Sequence, residues 1–246
     1  MVQLFAVTCG WFELPLTFFV GGEDKTAIKS PVPAYLIKHP KGMALFDTGL
    51  GVRYRRAADA QIGGPGPDFD ESADIAMRLR AMDVDPADVK WIINSHLHLD
   101  HCGGNASIPN ATVIVQSREL AVARAEADGK LYNPADYDVG HPFLAIDGEY
   151  DLYGDGSVVL FPTVGHTPGH QSARVKLPGG DVILAADCCY LKRNLDELTT
   201  SPTDHDRAAS LETLRRLADL RRQGVRIFYG HDPVFWRGVP QATALD

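Results

Sequence analysis

Only four of the 246 residues are cysteine, at positions 9, 102, 188 and 189. Two of them are neighbours that cannot easily bridge each other, which excludes a disulfide framework of the secreted kind and leaves a reduced, cytoplasmic setting as the expectation. Basic charge is also scarce: 24 lysines and arginines stand against 32 aspartates and glutamates, a formal net charge of −8. Without a basic stripe to displace counterions, nucleic acid is excluded as the main partner. The one dense cluster, RYRR at 53–56, reads as a solvated or substrate-loop face. Long hydrophobic runs are missing too. Glu13 and Pro15 interrupt the apolar N-terminal stretch and no basic region precedes it, so neither a signal peptide nor a membrane span is expected. MVQLFAVTCG reads instead as a first core strand. No repeat, low-complexity segment or Ser/Gly linker divides the chain, so residues 1–246 are expected to form one domain.

What is present is an ordinary globular composition, 45% hydrophobic, in a chain long enough for a substantial core. Strand-like runs stand at 3–8, 34–39, 43–49, 89–95, 111–116, 157–162, 172–177, 181–187 and 225–230. The periodicity predicts helices over 70–82 and 205–224, the second with Leu211, Leu214 and Leu217 on one face and Gly224 as its stop. Turn pairs at 41, 147, 155 and 178 mark hairpins, so the strands should be mostly antiparallel and mixed with helices. The Gly/Pro-rich stretch 53–70 reads equally as a lid over a pocket or as a connecting loop.

The segment SHLHLDHCGG, residues 95–104, places three histidines and one aspartate within six positions directly after the apolar run VKWII. His96 and His98, two apart in an extended segment, can point the same way, while Asp100 and His101 follow around a turn and face a second point. One metal cannot comfortably use all four. Imidazole with carboxylate suits zinc or a similar borderline ion, and a catalytic site holds about three protein ligands while leaving room for water. Further ligand types occur at three other strand ends: His166 in TVGHTPGH, Asp187 in LAADCCY and His231 in FYGHD.

This ordered set, from Asp47 in FDTG through the histidine loop to His166, Asp187 and His231, resembles the metallo-β-lactamase superfamily. The resemblance implies an α+β fold, a four-layer αβ/βα sandwich with a metal site at one edge of the packed sheets. It implies two divalent cations, with zinc the expected ion. One would be held by His96, His98 and His166, the other by Asp100, His101 and His231, and Asp187 would bridge them. Asp47 looks like the buried carboxylate that braces the histidine loop from behind the ligands.

Within the superfamily, too little chain follows His231 for the helical domain of a glyoxalase II, and the stretch from Asp187 to His231 has no room for a nuclease's basic insertion. Zinc β-lactamases use a cysteine near the place of Asp187. In an extended strand end Cys189 would share the face of Asp187 and Cys188 would point away, though both thiols also read as small buried hydrophobes. Flavodiiron relatives bring a flavodoxin domain that is missing here. HLHLDHCGGN, GHTPGHQS and Tyr190, three residues after Asp187 and followed by LKRNL, resemble the N-acyl homoserine lactonases. That resemblance implies a hydrolase opening a small-molecule lactone, with Tyr190 reaching the substrate carbonyl; another lactone, such as pyridoxolactone, is the alternative. Asp100 is the candidate to carry a proton to the leaving oxygen. Trp11, Phe12, Phe18 and Phe19 are candidate walls for an acyl tail. The implied partner is a small-molecule lactone, and a homodimer is compatible with the sequence. His170, Gln171 and Ser172 are expected to bond within the ligand loop, and His39, His141 and His205 to be surface or structural residues.

Overall fold

In a computed structural model, which describes residues 1–55, 67–127 and 131–246, the apolar N-terminus is strand β1 (Gln3–Pro15). It pairs antiparallel with β2 (Ala27–His39) along nearly its whole length, Phe5 opposite Leu36 and Phe12 opposite Ser30, with a bulge between Thr8 and Trp11. The short helix α1 (Leu16–Val20) lies between them in the chain. Both faces of β1 are apolar, Leu4 and Ala6 on one side and Val7 and Cys9 on the other, and all four are buried. A strand of that kind needs a covering layer on each side.

The remaining strands supply one of those layers. β3 (Gly42–Phe46), β4 (Val89–Ile93), β5 (Thr112–Gln116) and β6 (Phe143–Ile146) extend the first sheet in parallel beyond β3. A second sheet holds β7 (Tyr150–Asp151), β8 (Val158–Pro162), β9 (Gln171–Leu177), β10 (Gly180–Ala186) and β11 (Arg226–Tyr229). The strand β12 (Ala244–Leu245) returns to the free edge of β1, giving the orders β12-β1-β2-β3-β4-β5-β6 and β11-β10-β9-β8-β7. Ala6, Tyr35, Phe46, Ile93 and Ile114 of the first sheet meet Leu160, Val175 and Leu184 of the second in the central core.

Helices cover the outer faces. Ile75 and Leu79 of α2 (Ile75–Arg80) pack on Val7, Leu36 and Ile92, while a single helical turn, α3 (Leu99–Cys102), follows β4. Leu120 and Ala123 of α4 (Ser117–Ala125) pack on Val115, close to the short α5 (Pro134–Tyr137). Beyond α6 (Lys192–Glu197), Leu214 and Leu217 of α7 (Arg207–Arg222) cover Ile183 and Ile227, and α8 (Pro233–Trp236) follows β11. The result is a four-layer αβ/βα sandwich of mixed sheets. No helix among the described residues is long and apolar enough to cross a membrane.

Several expectations change in detail. Asp147-Gly148 turns no hairpin: it carries the chain from β6 in one sheet to β7 in the other, and Gln116 holds the crossing through both the Gly148 N–H and carbonyl. The predicted helix over 70–82 is a 3-10 turn (Glu71–Ala73) followed by α2, because Asp70 and Asp74 each cap a separate start. His205 precedes α7, whose N-cap is Asp206. Strands β3, β4 and β10 stop one to three residues before their apolar runs end, and those last residues turn toward the site. Of the stretch 53–70, residues 56–66 lie outside the described residues.

Leu160 is fully buried between the sheets. Leu160→Ala should lower unfolding free energy by about 2–5 kcal/mol in urea titration, the usual cost of a core cavity; a loss below about 1 kcal/mol would contradict this account of the core.

Candidate metal centre

Strands β3, β4, β8, β10 and β11 all end in one neighbourhood, and the turns that leave them carry Asp47, the histidine loop, His166, Asp187 and His231. Two of these turns are strained. Asp47 and Ala186 adopt left-handed backbone (φ 57 and 47), which non-glycine residues rarely do and which costs about 1–3 kcal/mol. Such strain persists only where surrounding bonds fix it. At Asp47, Ser95 donates from its backbone N–H to Oδ1 (2.7 Å) and from its hydroxyl to Oδ2 (2.8 Å), and His101 Nδ1 lies 2.8 Å from Oδ2.

The side chains gather into two groups. In the first, His96 Nε2, His98 Nδ1 and His166 Nε2 form a triangle with edges of 3.0, 3.1 and 3.2 Å. In the second, Asp100 Oδ2 and Asp187 Oδ1 face His101 Nε2 at 3.4 and 3.2 Å and His231 Nε2 at 3.4 and 2.9 Å. The other oxygen of Asp187, Oδ2, turns to the first group, 3.5 Å from His166 Nε2 and 3.9 Å from His96 Nε2. All seven predicted ligand residues therefore converge, and Asp187 stands between the groups.

The donors fit metal ions. A tetrahedral ion with bonds of 2.0–2.1 Å sets ligand nitrogens about 3.3 Å apart, close to the observed triangle. His101 Nε2 and Asp187 Oδ1 are buried and have no partner in hydrogen-bond geometry, an expensive state that a cation would relieve. Electrostatics divide the groups further. Burial, then the crowding of neighbouring imidazoles, holds His96 well below its usual range, and burial with His166 brings His98 down to about 3. Burial also opposes charge on His101, but Asp100, Asp187 and Asp47 outweigh it and push its pKa well above the usual value; His231 is raised for the same reason by Asp187 and Asp100. Asp187 is held well below the carboxylate range because His101 and His231 outweigh its burial.

A second ring of residues fixes which ring nitrogen faces inward. His231 Nδ1 donates to the Pro31 carbonyl (2.7 Å), leaving Nε2 for the centre. His166 Nδ1 lies 2.8 Å from the Tyr190 hydroxyl and 3.4 Å from Asp204 Oδ1. Tyr190 was expected at a substrate carbonyl; here it is buried, its hydroxyl faces His166, and it does not line the cavity. His170 Nδ1 lies 2.9 Å from Thr163 Oγ1 and Ser172 bonds to the same hydroxyl, as expected of that loop, but the Gln171 amide reaches out of it, donating to the Asn94 and Ile114 carbonyls and accepting from Gln116.

Glu119 is the residue the sequence reading missed. Its fully buried carboxylate accepts from the Leu97 N–H, between the two histidines, and from Tyr132, Thr167 and the Gly169 N–H on the His166 loop. It ties the two ligand loops together. Gly169 is required there, since a Cβ would lie 2.2 Å from the Glu119 nitrogen. The available sign was a carboxylate beside Leu120 on the apolar face of SRELAVARA, a pattern that also occurs by chance.

A cavity of about 280 Å³ opens onto the centre, with Phe12, Leu14, Phe18, Phe19, Leu99 and Leu131 as its apolar walls. Asp100, Asp187, His98, His166 and His231 form the polar end. Trp11 is absent from it; its side chain packs against the inter-sheet core, and its backbone bridges to Asp68. Neither adjacent thiol reaches the centre. Cys188 donates to the Ala185 carbonyl and its pKa is pushed up by burial to about 12, while both sulfurs belong to the apolar layer under α7. Cys189 is not carried alongside Asp187 by an extended strand, because β10 ends at Ala186 and residues 187–189 form a turn.

Comparison with known proteins agrees with this geometry. The profile of the metallo-beta-lactamase superfamily matches residues 28–231. An N-acyl homoserine lactonase of Azorhizobium caulinodans is 36% identical over 228 residues, 86% of each chain. One from Bacillus thuringiensis is 33% identical over 216 residues, covering 82% of this chain and 81% of that one. A solved N-acyl homoserine lactone hydrolase, with N-hexanoyl-L-homoserine at its catalytic metal centre, superposes with a TM-score of 0.86 at 26% identity, covering 99% and 98% of the two chains.

Two measurements follow. Because Asp100, Asp187 and Asp47 push the His101 pKa up in the metal-free chain, a cation competes there with a proton, and affinity should fall as pH falls. Calorimetric titration of metal-free protein at pH 7 in buffers of different ionisation enthalpy should report about one proton or more released per chain; zero net release would refute the assignment. Asp47→Asn, which weakens the hold on His101, should reduce metal affinity about 10- to 100-fold in chelator competition.

Proposed function

This chain belongs to the metallo-beta-lactamase superfamily, and we propose that its cavity opens the lactone ring of N-acyl homoserine lactones. The observation that carries the reading is the cavity's two-ended character, an apolar trough closed by paired His/Asp groups, in a chain that matches such lactonases over most of its length. His96, His98 and His166 would hold one cation and Asp100, His101 and His231 the other, with one oxygen of Asp187 for each. Nitrogen and carboxylate donors without thiolate suit zinc, and also admit cobalt, manganese or iron. When bound, such a pair supplies Lewis acidity toward the ester carbonyl and lowers the pKa of water.

The chain's own residues do the rest. Asp100 lies on the cavity wall with its side chain 13% exposed, so it can reach substrate while facing His101 and His231. It is assigned to take up the proton that the attacking water loses and to pass it to the ring oxygen as the carbonyl carbon–ring oxygen bond breaks, because an alkoxide leaves poorly without one. Tyr190 is assigned to orienting His166, since its hydroxyl already faces that ring; reaching a carbonyl would require that contact to break. Phe12, Phe18, Phe19 and Leu99 hold the acyl chain, each buried methylene contributing up to about 0.8 kcal/mol. A compact polar ring such as pyridoxolactone would leave that trough unused. The four cysteines are free and buried, which supports a reducing, cytoplasmic setting.

A pH-indicator assay on a panel tests the proposal: homoserine lactones of several chain lengths, unsubstituted γ- and δ-lactones, a β-lactam and a glutathione thioester. Homoserine lactones should dominate, with kcat/KM rising with acyl length until the trough is full, and chelation should abolish turnover until zinc or cobalt is restored. Turnover confined to the thioester or the β-lactam would overturn the reading.

A further inference from the structure

Among the described residues lining the cavity, only Asp187 and Ser30 carry a buried side-chain oxygen with no described hydrogen-bond partner. The Asp187 oxygen faces His101 and His231 in the second ligand group. Ser30 has no such explanation. It is fully buried, and it lies on β2 directly opposite Phe12, with Ile28 opposite Leu14. Residues opposite one another in an antiparallel pair present their side chains on the same face, so the Ser30 hydroxyl stands on the face of Phe12 and Leu14, two walls of the trough. Thr203, the other hydroxyl residue of the wall, is already engaged with Ser201.

An orphan hydroxyl in an apolar wall destabilises the empty protein, because it loses water and gains nothing in return. The polar groups shared by every homoserine lactone, the ester and the amide, belong near the polar end, where Asp100 and the histidines offer partners. An oxygen partway along the acyl chain would have none there except Ser30. Resting on the function proposed above, we infer that Ser30 selects acyl chains that carry an oxygen substituent, its hydroxyl donating to a keto oxygen that an unsubstituted chain lacks. The discrimination works from both sides. A substituted chain keeps a partner for its oxygen inside the trough, whereas an unsubstituted chain leaves the Ser30 hydroxyl unpaired after binding.

The test compares kcat/KM on N-(3-oxohexanoyl)- and N-hexanoyl-homoserine lactone for the wild type, Ser30→Ala and Ser30→Cys, together with the melting temperature of each ligand-free protein. The ratio of substituted to unsubstituted substrate should fall about five- to tenfold in Ser30→Ala, the usual worth of one hydrogen bond, and by a similar amount in Ser30→Cys, whose thiol is a weak donor. The melting temperature of Ser30→Ala should not fall, because no internal bond is lost. An unchanged ratio would overturn the inference, and so would an equal loss on both substrates, which would assign the hydroxyl to the shared amide. A lower melting temperature would reveal a structural partner and overturn it as well. If the wild type opens neither lactone, the parent reading fails and takes this one with it; turnover with an unaltered ratio defeats this one alone.

Discussion

The two oxygens of Asp187 face opposite ways, one 2.9 Å from His231 and the other 3.5 Å from His166, and everything at the centre is arranged around that carboxylate. A buried carboxylate flanked by buried imidazoles is unstable unless its partners are held to a fraction of an ångström. The fold meets this requirement by delivering the partners from the ends of three strands, His96 and His101 after β4, His166 after β8 and His231 after β11. The packed sheets set where the strands stop, and the turns after them need only be short and rigid.

Rigidity comes from groups that never face the cavity. Asp47 and Glu119 are both buried carboxylates without a lysine or arginine partner among the described residues, and each is satisfied by donors from the ligand loops. Asp47 fixes the far end of the histidine loop through His101. Glu119 fixes its near end through Leu97 and joins it to the His166 loop. Burial raises the pKa of both, and the bonds they accept act in the opposite direction. Each brace thus depends on the loop geometry it enforces, which couples the loops to one another.

Legibility in the sequence follows the range of the interactions. The histidine loop was legible because its ligands lie within six positions, and its extended-then-turn course follows from residue spacing alone. Most of the nine strand-like runs were legible because burial on both faces leaves a nearly continuous apolar signature, whereas 172–177 was legible by alternation, with Arg174 and Lys176 on its more exposed face. β6, β7 and β12 were not, being two to four residues long and defined by their neighbours. Glu119 and Ser30 were invisible for a related reason: one is a carboxylate in an unremarked helix, the other a serine in the middle of a strand. What matters about each is its partners, four donors for Glu119 and none among the described residues for Ser30, and only tertiary packing determines that. The turn at 187–189 shows the same limit. An extended strand end puts Cys189 beside Asp187, whereas the left-handed Ala186 rotates both thiols into the layer under α7.

The joining of an apolar trough to a charged end also has a physical logic. Apolar walls lower the local dielectric response, so interactions at the polar end act over their full strength rather than being screened by water. For the substrate proposed above, the same walls would make burial of the acyl chain the main source of affinity, and that term discriminates poorly between chains of equal length. Selectivity must then come from sparse polar atoms set into the apolar surface, where an unpaired group is most costly. Phe12 and Leu14 supply attraction without discrimination. An orphan hydroxyl beside them supplies discrimination with little attraction, and the two functions can be separated because they reside on paired positions of adjacent strands.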